Sequence, residues 1–414
     1  MESGEDDGAD ERALWLQNAP LLYDVIVSKT IEWPSLTCEF LPGVRETCDG
    51  LEYRLLLGTQ TGDAGPGYLF VVAVSVAVSA AKDPENNQQT QYSDKQNSSS
   101  MRITHKMTHN GDVNRARLCP TLPSLVASRS STGKVYLANL GEEEGSVEPR
   151  AILSGLEGEG FGLSWNRANN HIASASHDGA VCEWDVESNN NNQSGELMSI
   201  WNTNANTAVN SCEHTLLDPF LLGCGLENGR CYLYDTRIAD SKPIQEFICS
   251  TKPPLDVNAL AFNEHADIKH LFLTGSADGI VRLWDQRMNK NPLHRFLCHN
   301  GSVNQVIWAP PTYQGDQLSI SDDSSASVFA SCSSDTHVIL WDVRQVGAEI
   351  SLEDDCNDAP PEVFFVHAGH EAGISDVCFS RNSGDMRWMV ASVDEDNTVQ
   401  VWKFAAETAP QLAR

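Results

Sequence analysis

Basic residues are scarce in this sequence of 414 residues, where 28 lysines and arginines stand against 57 aspartates and glutamates. The resulting formal net charge of −29 repels nucleic-acid phosphates and anionic lipids, and it attracts basic partners. We therefore expect no direct contact with nucleic acid. Hydrophobic residues make up 41% of the chain, which is enough to bury a substantial core.

Long apolar runs and paired cysteines are also missing. The longest apolar stretch, residues 68–81, is shorter than the roughly 20 residues that cross a membrane, so we expect no membrane contact. The 12 cysteines include no Cys-x-x-Cys pair, and residues 1–11 are acidic without an apolar signal region. This usage predicts a reducing compartment, the nucleus or the cytoplasm.

An internal repeat organises the chain. Alternating β-type stretches begin at positions 35, 113, 161, 209, 257, 303 and 374, and most starts are 46 to 48 residues apart. That spacing is at or slightly above the ~40–45 residues of a four-stranded propeller blade. An acidic residue precedes a tryptophan by six positions in four units: Asp178 and Trp184, Asp278 and Trp284, Asp335 and Trp341, Asp396 and Trp402. The sequence predicts an all-β fold, a seven-bladed WD-repeat β-propeller.

The segments around the repeats complete the predicted organisation. Residues 23–30 are β-branched and precede the first full unit, so we expect them to form the outer strand of the last blade, beside residues 399–403. A short helix is predicted over residues 10–18, ending before Pro20. The predicted division is an acidic N-terminal segment (1–22), the propeller (23–404) with flexible polar loops (83–100 and 188–194) and an acidic Pro-Pro loop (345–362), and a tail (405–414).

Motifs for catalysis are absent from the sequence: it contains no His-Glu-x-x-His, no phosphate-binding loop and no Gly-x-Ser-x-Gly elbow. His299, Ser333, Asp335 and Trp341 include the parts of a nucleophilic triad. We interpret them as a buried hydrogen-bonded network that stiffens one blade, because buried polar groups need partners. Blade seven carries Asp394 at the predicted serine position. We expect a protein that is not an enzyme, with no metal and no cofactor.

Two groups of residues are candidates for binding a basic partner. Acidic residues near predicted top-face loops, interleaved with Trp33 and Phe161, are suited to an extended basic peptide, although such acids can also simply solvate the surface. The acidic loop with residues 353–355, Asp358 and two prolines, together with the helix at residues 11–16, predicts a groove for a basic amphipathic helix. A disordered acidic insertion is the alternative.

Several stretches outside the generic repeat signature resemble the retinoblastoma-binding, histone-binding WD-repeat family. Its members are scaffold subunits of chromatin assembly factor one and of deacetylase, remodelling and Polycomb complexes. The resemblance runs from about residue 11 to residue 404. The stretches are YDVIVSKTIEWPSLTCEFLP (23–42), RLLLGTQTGD (54–63), HNGDVNRARLCP (109–120), GEGFGLSWN (158–166), APPEVFFVHAGHEAGISDV (359–377) and SVDEDNTVQVW (392–402).

The resemblance implies a histone chaperone or chromatin adaptor with two sites for core histones. The first is a side groove for the basic first helix of histone H-four, formed by Leu14, Trp15, Leu22, Asp354, Asp355, Asp358, Pro360, Pro361 and Phe365. The second is a top-face site for the tail of histone H-three or similar peptides, formed by Glu32, Trp33, Pro34, Asp112, Asn114, Arg115, Glu159, Phe161, Asn258, Glu395 and Asn397.

The sequence departs from the family mainly on the top face. Phe161 stands where the family commonly has tyrosine, Ser302 and Asn304 replace an acid and an aromatic residue, and the stretch 209–214 lacks an expected acid. Two other classes of protein stay open. The sequences 284–287 and 341–344 have the Trp-Asp-x-Arg form of a cullin ubiquitin-ligase receptor, and a ribosome-assembly chaperone would also bind basic clients.

Overall fold

The computed structural model shows how the repeats are arranged in space. The predicted loop 188–194 lies outside the described residues, and so do residues 83–99 of the other predicted polar loop and positions 349–358 and 409–414. The structure describes residues 6–48, 50–62, 64–76, 100–186, 196–202, 207–215, 218–238, 242–250, 253–265, 267–288, 290–311, 313–314, 317–318, 324–348, 359–382 and 388–408.

Seven sheets, formed by the described strands, are the blades of a propeller, which confirms the predicted fold. Blade 1 contains β2 (Cys38–Phe40), β3 (Arg45–Thr47), β4 (Gly50–Gly58), β5 (Gly67–Val76), β6 (Ser100–His109) and the short β10 (Gly145–Ser146). Blade 2 contains β7 (Val113–Leu118), β8 (Leu125–Ser130), β9 (Val135–Asn139) and β11 (Pro149–Leu153). Blade 3 contains β12 (Leu163–Trp165), β13 (His171–Ala175), β14 (Ala180–Asp185) and β15 (Glu196–Asn202).

The remaining blades repeat this antiparallel order. Blade 4 contains β16 (Val209–His214), β17 (Leu221–Leu226), β18 (Arg230–Asp235) and β19 (Gln245–Ile248), and blade 5 contains β20 (Val257–Phe262), β21 (Leu271–Ser276), β22 (Ile280–Asp285) and β23 (His294–Leu297). Blade 6 contains β24 (Val303–Trp308), β27 (Val328–Ser333), β28 (Val338–Asp342) and β29 (Val363–His367), with a separate hairpin of β25 (Tyr313–Gln314) and β26 (Gln317–Leu318). Blade 7 contains β30 (Ile374–Phe379), β31 (Val390–Asp394), β32 (Thr398–Phe404) and β1 (Tyr23–Thr30). Short 3-10 helices cover Ser324–Ser327, Val343–Gln345 and Ala406–Thr408.

The repeat landmarks have the predicted positions. Four tryptophans lie on the third strands of blades 3, 5, 6 and 7 and are at most 1% exposed: Trp184, Trp284, Trp341 and Trp402. The predicted turns at 176–179 and 276–279 join the second and third strands. Gly179 and Gly279 have φ values of 85° and 77° there, a conformation that glycine adopts without a steric penalty.

The ring closes through its two chain ends. Strand β1 pairs antiparallel with β32, and Val25 faces Lys403 while Lys29 faces Val399. The predicted outer strand of the last blade is therefore confirmed. Because propeller blades contact only their neighbours around a circle, this pairing removes the gap that a linear array of blades would leave.

Helix α1 (Asp6–Leu22) is longer than predicted, and the expected end before Pro20 is wrong. Proline lacks an N–H and clashes with the preceding turn, so it usually ends a helix. Here it lies in the last turn, where few hydrogen bonds remain to be lost. Trp15 and Ala19 are buried at 6% and 0% exposure, so packing against the propeller outweighs the local preference.

The buried histidine networks have a different register from the one predicted. In blade 6, His299 binds Ser331 (2.7 Å) and Asp335 (2.8 Å), and Trp341 donates to the same Ser331 hydroxyl (2.8 Å). Ser333 instead accepts from the backbone N–H of Asp335 (3.1 Å), so its assignment to the network was wrong. Burial works against ionisation of Asp335, but hydrogen bonds from His299 and His337 hold its pKa below the ordinary value.

Blade 7 carries the same network in complete form. His370 binds Ser392 and Asp394, each at 2.7 Å, and Trp402 donates to Ser392 (3.3 Å). Asp394 therefore takes the role of the network acid, not of the serine as expected from the sequence. The serine that matters lies two residues earlier in each blade, on the same face of the strand as the tryptophan it contacts.

A central channel is lined by the innermost strands of all seven blades and holds a cavity of about 170 Å³. Asp376 on β30 is fully buried there and accepts hydrogen bonds from Arg117 (3.1 Å) and from the backbone N–H of Cys38 (2.9 Å). Arg115 lies 3.0 Å from the same carboxylate. Gln305 of blade 6 also donates to it (3.2 Å). One carboxylate thus connects blades 1, 2, 6 and 7.

Two more acids line the channel in contrasting states. Burial and the neighbouring Glu264 carboxylate raise the pKa of Glu213 to about 8. Burial acts in the same direction on Glu264, but Arg167 and Arg381 outweigh it and lower the pKa of Glu264 to about 2. Glu213 is therefore protonated at neutral pH, whereas Glu264 is charged.

Replacing Asp376 with asparagine is expected to destabilise the ring by about 3–5 kcal/mol, because two arginines would keep their charges without a carboxylate. Chemical denaturation measures the change in unfolding free energy. Glu144→Gln is the matched control, since it breaks an exposed pair with Arg102 (2.7 Å) that should contribute little. A D376N variant as stable as the control would contradict the role assigned to the channel.

Replacing Glu213 with glutamine should stabilise the protein only at higher pH. The pKa of Glu213 is about 8 in the fold against 4.5 for an unperturbed group, so its stability contribution is full below pH 4.5 and is lost as the pH rises towards 8. The thermal midpoint of E213Q minus that of the wild type should increase by about 2 °C or more between pH 5.5 and pH 8.5. A difference independent of pH would show that Glu213 does not titrate in this range.

Candidate functional site

Helix α1 docks beside blade 7 through a buried aromatic contact. The indole N–H of Trp15 donates to the Tyr23 hydroxyl (3.2 Å), which also hydrogen-bonds Nδ1 of His367 (2.8 Å). The His367 ring stacks on Trp402 with centroids 4.3 Å apart. Burial lowers the pKa of His367 well below its ordinary value, so the ring stays neutral. The helix is therefore attached to the same blade that closes the ring.

Arg12 fixes the other half of the helix. Its guanidinium donates to the carbonyl of Gly369 (2.6 Å), lies 3.0 Å from the Glu371 carboxylate and lies 4.5 Å from the centre of the Trp15 ring. This clamp was not predicted from the sequence. Its signal was an arginine three residues before a tryptophan on one helix face, the spacing of side chains that contact each other.

The predicted side groove is divided between surface and core. Leu14 is 59% exposed on the outer face of α1, and Leu22, Pro360 and Pro361 are half-buried. Leu16 and Leu21 extend the exposed apolar face, at 38% and 63% exposure.

The two aromatic residues assigned to the groove have a different environment. Trp15 and Phe365 are each 6% exposed and belong to the core between blades 6 and 7, where Phe365 stacks on Trp402 at 5.7 Å. They support the groove from beneath. Asp354, Asp355 and Asp358, the predicted acidic wall, lie outside the described residues.

The predicted top-face residues lie at one end of the ring. They occupy the starts of innermost strands or the turns between second and third strands, and antiparallel pairing brings these to the same end. Asn114 donates to Glu159 (3.0 Å), and Asn258 donates to Ser302 (2.9 Å). The carbonyl of Asn397 accepts from the backbone N–H of Ile31 (2.8 Å), next to Glu32.

Some top-face residues serve the fold itself. Arg115 is 9% exposed and pairs with Asp376 in the channel, so it does not lie on the rim as the sequence suggested. The Asp112 carboxylate accepts from the backbone N–H groups of Thr61 (2.5 Å) and Gly62 (3.2 Å). By contrast, the exposed Glu32 and Glu395 carboxylates have no lysine or arginine within 4 Å in the described part of the chain.

Trp33, Pro34 and Phe161 complete the top-face set. Trp33 and Phe161 are half-buried, and the Phe161 ring lies 5.6 Å from that of His177. The carbonyl of the half-buried Pro34 accepts from the backbone N–H of Gln60 (2.9 Å). These rings flank the acidic groups without sealing them from solvent.

The Trp-Asp-x-Arg sequences are explained by local hydrogen bonds. Arg287 binds both carboxylate oxygens of Asp285 (2.6 and 2.9 Å), and Arg344 binds Asp342 in the same way (2.8 and 3.0 Å). Arg237 and Asp235 form this pair in blade 4, where tyrosine replaces the tryptophan. The pairing stabilises the end of the third strand and gives no support to a ligase-receptor function.

Neither a metal site nor a membrane span was found in the described ranges. No group of three or more His, Cys, Asp or Glu side chains there is arranged to hold a metal ion. Helix α1, likewise, does not reach the length and apolarity needed to cross a membrane, and no other described helix does.

Comparison with known proteins agrees with this architecture. The family model described as the histone-binding protein RBBP4 or a subunit of the CAF1 complex matches residues 10–77, which include α1 and its docking strand. The WD domain, G-beta repeat model matches residues 158–185, 241–285 and 362–403. The chain is 30% identical over 403 residues to "Histone acetyltransferase type B subunit 2" of Candida glabrata, covering 96% of this chain and 88% of the relative.

The fold and these matches define a WD-repeat propeller with a docked N-terminal helix. The chain belongs to the histone-binding WD-repeat family, which confirms the resemblance drawn from the sequence. Neither the ligase-receptor nor the ribosome-assembly alternative is supported by these matches.

Trp15→Ala should undock α1, whereas Leu14→Ala should not. Removing a buried tryptophan side chain costs about 3–5 kcal/mol, and a change at an exposed position usually costs less than about 0.5 kcal/mol. Hydrogen exchange of residues 12–22 should become faster in W15A and stay unchanged in L14A. Equal protection in both variants would mean that the indole does not hold the helix in place.

Proposed function

We propose that this protein is a histone-binding scaffold without catalytic activity, and that its side groove binds the basic first helix of histone H-four. The observation that supports this most directly is the docked helix α1, which is clamped by Arg12 and Trp15 yet exposes Leu14 and Leu21 to solvent. An exposed apolar face on a fixed helix is the surface that an amphipathic partner helix requires.

The proposed groove joins apolar and acidic chemistry. Pro360 and Pro361 are half-buried beside β29, and the sequence places Asp354, Asp355 and Asp358 immediately before them. Apolar side chains of the histone helix would pack on the leucines and prolines, while its lysines and arginines pair with the aspartates. Each charge-assisted hydrogen bond contributes about 1.5–3 kcal/mol when shielded, and less at an exposed rim.

The top face is proposed as a second site, for the basic tail of histone H-three or a similar peptide. Glu32 and Glu395 are exposed, and Glu159 is exposed with one oxygen held by Asn114. Carboxylates without basic neighbours in the described chain attract cationic ligands. Ser302 and Asn304 replace an acid and an aromatic residue here, so we expect weaker binding than at the groove.

The partners and location follow from the family. The relative's name identifies an acetyltransferase subunit, and we propose that this chain serves such a complex, or chromatin assembly, deacetylase or Polycomb complexes, in the nucleus and also in the cytoplasm. The net charge of −29 argues against direct contact with nucleic acid.

Replacing Asp354, Asp355 and Asp358 with alanine should weaken binding of a histone H-four helix peptide by about tenfold or more at physiological salt, since several ion pairs would be lost. Calorimetry with separate H-four helix and H-three tail peptides measures the effect. The tail peptide should bind both proteins equally.

The matched control changes Glu142, Glu143 and Glu144 to glutamine, which removes the same charge from an exposed loop of blade 2. If the control loses as much affinity as the aspartate variant, the binding reflects overall charge and not the groove. An unchanged affinity in the aspartate variant would remove the site assignment.

A further inference from the structure

A groove on blade 1 is not used by either proposed histone site. It lies between the residues that follow β1 and the outer strands β5 and β6, and it encloses about 290 Å³. Trp33 lines the end nearest the top face, and Phe70 and Met101 line the middle. The volume is near the lower end of ligand-binding pockets, enough for one or two large side chains.

The interior of this blade 1 groove is apolar. Phe70 and Val72 are 7% and 1% exposed and belong to the core between blades 1 and 7. Ile103, on β6 at the border of the groove, is 57% exposed. Large aliphatic side chains are rarely left this exposed beside a preformed apolar cavity unless another surface covers them.

Lys106 gives the groove a charge opposite to that of the protein as a whole. Its ammonium lies 3.5 Å from the centre of the Tyr68 ring, and none of the described carboxylates is within 4 Å of it. Arg102 on the same strand is different, since it pairs with Glu52 (3.2 Å) and Glu144 (2.7 Å). In a chain with 57 acidic residues, a lysine that contacts an aromatic ring and no acid is available to a ligand's carboxylate.

We propose that the blade 1 groove binds an acidic segment of a partner protein, with one aromatic or long aliphatic side chain in the cavity and a carboxylate on Lys106. Charge complementarity selects this occupant, because the basic rim repels the cationic segments that the acidic surfaces attract. Glu32 also lines the groove, so the partner's carboxylate is placed beside Lys106 and away from Glu32. The protein would thus hold a basic client and an acidic partner on separate surfaces.

The probe is a fluorescein-labelled ten-residue peptide with a central Leu-Phe pair between aspartates and glutamates, titrated into the full-length protein. Two comparison peptides carry Ala-Ala at the centre or lysines in the flanks. Fluorescence anisotropy should show that the acidic Leu-Phe peptide binds at least about tenfold more tightly than either.

Lys106→Glu should weaken this binding by about tenfold or more, and Ile103→Ser should weaken it several-fold. Lys290→Glu, at an exposed lysine of blade 5, is the matched control and should leave it unchanged. Thermal midpoints of all variants should equal that of the wild type, and histone H-four helix binding should be unaffected by K106E. This separates failure of the groove from failure of the histone proposal.

Three results would overturn the inference. The first is no binding of the acidic Leu-Phe peptide, and the second is a loss of affinity in K290E as large as that in K106E. The third is tighter, Lys106-dependent binding to phosphatidylserine vesicles than to the peptide, which would assign the groove to a membrane surface instead.

Discussion

The pairing of β1 with β32 is the constraint on which the rest of this molecule depends. It joins the two ends of the chain in one blade and removes the open edges that a linear array would expose. Because β1 follows α1 without a break, the same pairing fixes the helix beside blade 7. Tyr23, the first residue of β1, contacts Trp15 of the helix and His367 of blade 6, so ring closure and helix docking share one buried hydrogen-bond chain.

A stiff ring lets one protein present surfaces of opposite character. The channel is held by Asp376 and its two arginines, and the blades by buried histidine and tryptophan networks, so these charges and rings are unavailable to partners. Charges outside these networks remain for recognition. The exposed glutamates of the top face and the leucines of α1 suit basic clients, whereas Lys106 marks a surface of the opposite sign.

The repeats carried most of the fold in the sequence itself. Val113–Leu118 and Val257–Phe262 were predicted with the bounds that the structure shows, because alternation and spacing are local properties. What failed depended on contacts distant in sequence. The helix continued past Pro20 because Trp15 and Ala19 are buried against blades 6 and 7. Arg115 entered the channel because Asp376, far along the chain, is its partner. Register within a strand is equally hard to predict, and Ser331 was therefore overlooked in favour of Ser333.

The central claim is that the clamped helix and the Pro-Pro segment form one binding surface for a basic helix. Hydrogen–deuterium exchange of the full-length protein, with and without a histone H-four helix peptide, tests it most directly. The account predicts increased protection in residues 12–22 and 359–365 together, with blades 3 and 4 unchanged. Protection confined to other blades, or to neither segment at saturating peptide, would contradict it.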